Sequence, residues 1–104
     1  MSYALFIYGS LRNPDVFERV TNEKCPPREP ATLEGYALGK PIDGYPALYP
    51  DQDSVVEGEL LRNVSSQALQ CLDEYEEVGV EYERRQVSVS SSQGPIEAFV
   101  YVGL

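Results

Sequence analysis

The sequence predicts an α+β fold built on one strongly curved, mainly antiparallel sheet. Three observations predict it. About five strand-like and two helix-like segments follow one another without the βαβ alternation of a parallel sheet. Two of those strands carry an interior glycine, Gly35 and Gly58, as strands do where a sheet bends or closes. The last two strands are joined by Ser91-Ser92-Gln93-Gly94-Pro95, a hairpin connection.

The chain opens on Tyr3-Ala4-Leu5-Phe6-Ile7-Tyr8, an apolar run that suits a strand buried on both faces. Gly9-Ser10 breaks the run. A buried strand ending in such a turn aims backbone N–H groups outward and can hold a carboxylate or phosphate. The same pattern also fits a first core strand with an ordinary turn. Asn13-Pro14 then starts a helix over 14–21, with Asn as cap and Val16, Phe17 and Val20 on one face. Lys24 to Pro30, with three prolines, is expected to be irregular.

A second strand is expected over 31–38, with Gly35 marking a bulge or a close approach. Residues 39–50, rich in Gly, Pro and Tyr, are too apolar for a solvated loop and read as an extended piece beside the core. Asp51-Gln52-Asp53 reads as a polar turn and Ser54 to Arg62 as a strand. The one strong helix is expected over 65–78, capped by Ser65 or Ser66 and ended by Gly79. Strands over 82–90 and 96–102 complete the chain.

The chain has 104 residues, room for one domain over 1–104. Hydrophobic residues make up 42% of it, enough for a core. Seventeen acidic against 8 basic residues give a formal charge of −9. That balance argues against nucleic acid and against an anionic membrane surface as partners. A small anionic substrate stays open, because a local site can oppose the net field. Met1-Ser2-Tyr3 lacks the basic region of a signal peptide. No apolar run approaches the roughly 20 residues of a membrane helix.

Cys25 and Cys71 are too few for a disulfide framework and wrongly spaced for zinc, so they read as reduced thiols of a cytoplasmic protein. Histidine is absent. Its absence excludes a Ser-His-Asp triad, a Cys-His pair and any His-ligated metal. Proton transfer near neutral pH then falls to a carboxylate, tyrosine, lysine or thiol with a shifted pKa.

The helix over 65–78 carries the most informative carboxylate. Glu76 lies only about 20° of rotation from Leu69, on the stripe that also holds Leu72, and Asp73 lies about 40° to the other side. One reading of Glu76 is a helix-end residue that reaches water or pairs with Arg84 or Arg85. The other is a partly buried base whose pKa rises through desolvation. Glu57 and Glu59 read as a solvent-facing pair, and Glu74, Glu77, Glu81 and Glu83 as a solvated face. Cys71 and Ser10 have no base partner in the pattern. Tyr8, Tyr45, Tyr75, Tyr82 and Tyr101 offer rings and hydroxyls to wall a pocket, although core and rim tyrosines share that pattern.

Six motifs occur in order: Tyr8-Gly9-Ser10-Leu11, Tyr45-Pro46-Ala47-Leu48, Val56-Glu57-Gly58-Glu59-Leu60, Leu72-Asp73-Glu74-Tyr75-Glu76, Tyr82-Glu83-Arg84, and Ala98-Phe99-Val100-Tyr101. In this order and spacing the chain resembles the gamma-glutamylcyclotransferase-like family, which includes the gamma-glutamylamine cyclotransferases. The resemblance covers nearly the whole chain. It implies a small closed, mainly antiparallel β-barrel flanked by helices.

It also implies that Tyr8, Gly9, Ser10 and Leu11 hold the α-amino-acid end of a substrate, that Glu76 is the acid/base, and that Tyr101 and Tyr45 line the pocket. Arg84 is expected to buttress Asp73 or the helix end. The implied reaction is release of 5-oxoproline and an amine or amino acid from a small γ-glutamyl compound, with no metal or cofactor. The expected partner is that small molecule, with the chain a monomer or homodimer. Two other readings are kept: a binding module for an amino-acid-like ligand on the same fold, and hydrolysis of a γ-glutamyl bond by water.

Overall fold

The computed structural model describes residues 2–42 and 44–104, with the backbone alone for Ser10. Five strands carry the fold: β1 (Ser2–Ile7), β2 (Arg28–Leu38), β3 (Leu48–Ser65), β4 (Tyr82–Ser91) and β5 (Gly94–Gly103). They close into a barrel in the order β1-β3-β2-β4-β5. Every pairing is antiparallel except the closing one, where β1 meets β5 in parallel at Leu5 and Phe99. Helices α1 (Pro14–Thr21) and α2 (Ser66–Tyr75) pack outside it. Among the described residues no helix is long and apolar enough to cross a membrane.

Alternation along the strands separates two cores. Phe6, Leu33, Leu48, Leu60, Val89, Val100 and Val102 fill the barrel. Leu5, Ile7, Leu61, Val64 and Tyr101 point the other way, against Phe17 of α1 and Ala68, Leu69 and Leu72 of α2. Successive strand residues face opposite sides, so a strand with helices over its outer face is apolar throughout. Strand β1 is therefore buried on both faces from Leu5 to Ile7, as its composition predicts.

Gly58 is needed on packing grounds. A Cβ there would lie 2.5 Å from the Ile7 carbonyl oxygen and 2.7 Å from the Phe6 ring. Gly35 is needed on backbone grounds, with φ at 87° where the β2–β3 register shifts.

Several boundaries differ from the expectation. Strand β2 begins at Arg28, so Pro30 lies within a strand rather than in an irregular link. It is tolerated because β4 pairs with β2 only at Ala31 and Thr32, leaving that side of Pro30 outside the ladder. Asp51-Gln52-Asp53 is not a turn between elements, because β3 runs on through it. The turn chemistry appears instead as a bulge. Residues 51–54 sit opposite the single Gly35, and Asp51 Oδ1 accepts from the Asp53 N–H at 3.2 Å.

The final hairpin turns in two residues, Ser92 and Gln93, since Gly94 and Pro95 already pair with Ser91 and Ser90. Helix α2 is shorter than expected. Ser65 is its cap, with Oγ accepting from the Ala68 N–H at 3.0 Å. Its last residue is Tyr75, and Glu76 is its C-cap. Glu77, at φ 51°, ends it rather than Gly79. The Val78 N–H bonds to the Asp73 carbonyl at 3.1 Å and the Glu77 N–H to the Glu74 carbonyl at 3.2 Å. That pair of bonds is a Schellman closure with glutamate in the left-handed position.

Candidate active site

Where β1 leaves the barrel, Tyr8-Gly9 leads into a 3₁₀ turn over Ser10–Arg12, closed by the Arg12 N–H to the Gly9 carbonyl at 3.0 Å. Buried Leu11 anchors the turn from within. Arg28 holds it from outside by donating to the Arg12 carbonyl. Glu59 accepts from both arginines, at 3.1 Å from Arg12 and 3.3 Å from Arg28. Glu59 is thus a partnered structural carboxylate, whereas Glu57 beside it is exposed. The side chain of Ser10 lies outside the described residues.

Beside this turn is a cavity of about 250 Å³. Its walls include Tyr8, Gly9 and Leu11 from the turn, Glu76 from the end of α2, and Tyr82 and Tyr101 from β4 and β5. Tyr45, Tyr75, Glu77 and Glu81 line it as well, so all five tyrosines singled out in the sequence border it. Phe6, Ile7 and Pro46 complete the apolar part of the wall.

Glu76 reaches this wall because α2 packs Leu69 and Leu72 on the barrel and carries the same stripe one turn further. Neither arginine pairs with it. Arg85 pairs with Glu83 at 2.8 Å, and Arg84 Nη1 lies 3.1 Å from Asp73 Oδ2. Burial, reinforced by the like charge of Glu81, pushes the Glu76 carboxyl up to about 7. Burial is also the main cause that raises the phenols of Tyr8 and Tyr101 far above the ordinary tyrosine value, so both stay protonated.

Three hydroxyls fix the walls. Tyr8 donates to the Tyr101 carbonyl, Tyr82 to the Pro46 carbonyl at 3.0 Å, and Tyr101 to Asp73 Oδ1 at 2.8 Å. Arg84, bound to the other Asp73 oxygen, lies 4.7 Å from the centroid of the Phe99 ring.

Glu77 and Glu81 are the lining residues that pattern reading placed on a solvated face. The helical wheel holds through Glu76 and fails beyond it, because Glu77 takes a left-handed conformation that closes the helix. A glycine or asparagine after Glu76 would have signalled such a stop, and a glutamate stands there instead.

Residues 5–103 match the model of one protein family, described as gamma-glutamyl cyclotransferase, AIG2-like. The chain belongs to this family. Among curated relatives, AIG2-like protein C of Arabidopsis thaliana is 34% identical over 106 residues, which cover 96% of this chain and 59% of the relative. The chain spans 48% to 66% of the length of the curated relatives it matches.

A solution structure of a protein from Arabidopsis thaliana superposes with a TM-score of 0.86 at 29% identity, covering 99% of this chain and 69% of that one. A structure named gamma-glutamyl cyclotransferase superposes at 0.84 with 21% identity, covering 100% of this chain and 68% of that one. The second likeness shows the shared fold: a small barrel with helices packed outside it.

Proposed function

We propose that this member of the family is a γ-glutamyl cyclotransferase, releasing 5-oxoproline from a small γ-glutamyl compound, with Glu76 as its acid/base. The observation that carries the reading is a partly buried carboxyl, pushed up to about 7, in the same cavity as the Tyr8–Leu11 turn. A group near that value both takes and returns a proton at neutral pH.

The reaction is an intramolecular aminolysis. The turn holds the α-amino-acid end of the substrate. Ionised Glu76 removes a proton from the α-ammonium. The freed amine nitrogen attacks the γ-carbonyl carbon, forming the ring C–N bond and a tetrahedral intermediate. Protonated Glu76 delivers its proton to the leaving nitrogen as the C–N bond to it breaks, and the carboxylate so restored takes the second proton of the ring nitrogen and passes it to the released amine, which departs as an ammonium. The carbonyl reforms as 5-oxoproline. No protein nucleophile takes part. Holding the substrate folded accounts for much of the rate, because the two reacting groups belong to one molecule.

A panel of γ-glutamyl peptides, amino acids and amines tests this by assay for 5-oxoproline. Product from at least one member is expected. Release of free glutamate instead would assign a hydrolase, and binding with no product would assign a binding module.

A further inference from the structure

One side chain explains two glycines that no turn requires. Neither Gly39 nor Gly103 has a left-handed φ, unlike Gly35, Gly44, Gly79 and Gly94. Backbone conformation therefore does not demand glycine at either position. The ring of Tyr49 does. A Cβ on Gly39 would lie 2.4 Å from one edge of that ring, and a Cβ on Gly103 would lie 2.6 Å from the other edge. The Tyr49 hydroxyl also donates to the Lys40 carbonyl at 3.0 Å. The ring is thus wedged between the end of β2 and the end of β5.

The wedge bears on the cavity through a short, rigid path. Ala47 and Leu48 join Tyr49 to Pro46, and both are fully buried. The Gly39 N–H bonds to the Ala47 carbonyl at 3.0 Å, and Tyr82 donates to the Pro46 carbonyl. Close packing carries a displacement of Tyr49 on to Pro46. Pro46 stands in the cavity wall and faces the turn: a Cβ on Gly9 would meet its ring at 3.8 Å, an ordinary contact. Pro46 therefore sets the width of the cavity beside Gly9.

We infer that Tyr49 is a positioning residue: its ring, held between Gly39 and Gly103, fixes Pro46 opposite the Gly9 turn and sets how tightly the α-amino-acid end of a γ-glutamyl substrate is gripped. The inference rests on the cyclotransferase reading of the same cavity. Tyr49 is absent from the described cavity wall, so it acts through Pro46 rather than on the substrate. The turn keeps its own anchors, Leu11 and Arg28, and Glu76 stays on the end of α2. Loosening Pro46 therefore weakens substrate and transition state alike, which raises KM and spares kcat.

γ-Glutamylalanine and γ-glutamyl ethylamide share that end and differ in the leaving group, so both serve as probes. KM and kcat for 5-oxoproline release are measured with Glu76 in place, and Kd by calorimetry in the Glu76→Gln chain. Tyr49→Ala is expected to raise KM and Kd about tenfold for both probes, with kcat held within about twofold. Tyr49→Phe keeps the wedge and is expected to restore the native constants. Gly103→Ala displaces the ring and is expected to raise KM about fivefold, yet to add nothing in the Tyr49→Ala chain, where the ring it would meet is gone. A fall in kcat at native KM, the mark of a partly unfolded chain, overturns the inference, as do additive effects of these two substitutions. Unchanged KM and Kd with 5-oxoproline still released overturn it and leave the cyclotransferase reading standing. The expected order in Kd with no product from either probe supports the wedge and removes the reaction. Failure of the Glu76→Gln chain to bind either probe, with no product from the native chain, overturns both.

Discussion

The Tyr101 hydroxyl donates to Asp73 Oδ1 at 2.8 Å, and this bond ties the last turn of α2 to the barrel wall. Arg84 from β4 takes the other oxygen at 3.1 Å, so one helix carboxylate is clamped by two adjacent strands. Glu76 lies three residues further along the same helix face. The clamp therefore sets where the proposed base points.

Tyr101→Phe is expected to remove one arm of that clamp while keeping the ring in place. Stability should fall by about 1 kcal/mol, the usual worth of one hydrogen bond. A looser helix end should also lower kcat about tenfold, since positioning errors at a reacting centre are costly. Urea denaturation and steady-state kinetics measure the two effects. A native kcat in this variant would show that the clamp does not position Glu76.

The raised pKa of Glu76 makes a stability prediction with a definite sign. Its folded value of about 7 lies above the unfolded carboxyl value of 4.5. Between the two, the folded state holds more protons than the unfolded one. This contribution is therefore fully present below the unfolded value and is lost as pH rises through about 7. The loss is on the order of 3 kcal/mol. Glu76→Gln, neutral at every pH, should match the native chain near pH 4 and exceed it in stability near pH 8, as seen in denaturation midpoints at the two values.

The same substitution should abolish 5-oxoproline release, because glutamine cannot take the amine proton. In the native chain kcat/KM should rise with pH through about 7 as Glu76 ionises, read from a pH–rate profile. Retention of full activity by Glu76→Gln would remove Glu76 from the chemistry.

Gly58→Ala tests the barrel itself. The new methyl would meet the Ile7 carbonyl, a backbone atom held in the β1–β3 ladder, and the Phe6 ring within the barrel core. Neither can withdraw without disturbing β1, so a loss of about 2 to 3 kcal/mol is expected in chemical denaturation. A near-native midpoint would show that the two strands can separate at no cost.

The elements that sequence reading located are those whose signals are local. Asn13-Pro14 starts α1, Ser65 caps α2, and the doubly apolar run of β1 needs cover on both faces. Gly35 and Gly58 indicated a sheet that curves, because a missing side chain reports what must come close. Glu76 stood out because a charge on an apolar stripe conflicts with its neighbours.

Tertiary structure decided what depends on partners distant in sequence. Asp51-Gln52-Asp53 has the composition of a turn, yet it stays within β3 because β2 supplies the ladder on both sides of the bulge. Pro30 enters a strand because, among the described residues, β4 pairs with β2 only at Ala31 and Thr32. Glu77 and Glu81 come to the cavity through a left-handed turn that a glutamate rarely adopts and no periodicity encodes. The sequence by itself determined the family, the curved sheet and the candidate base, since each is written in local pattern or motif order. The depth of the cavity, the clamp on Asp73 and the commitment of the tyrosine protons were decided only by packing, which brings together groups 28 to 93 residues apart.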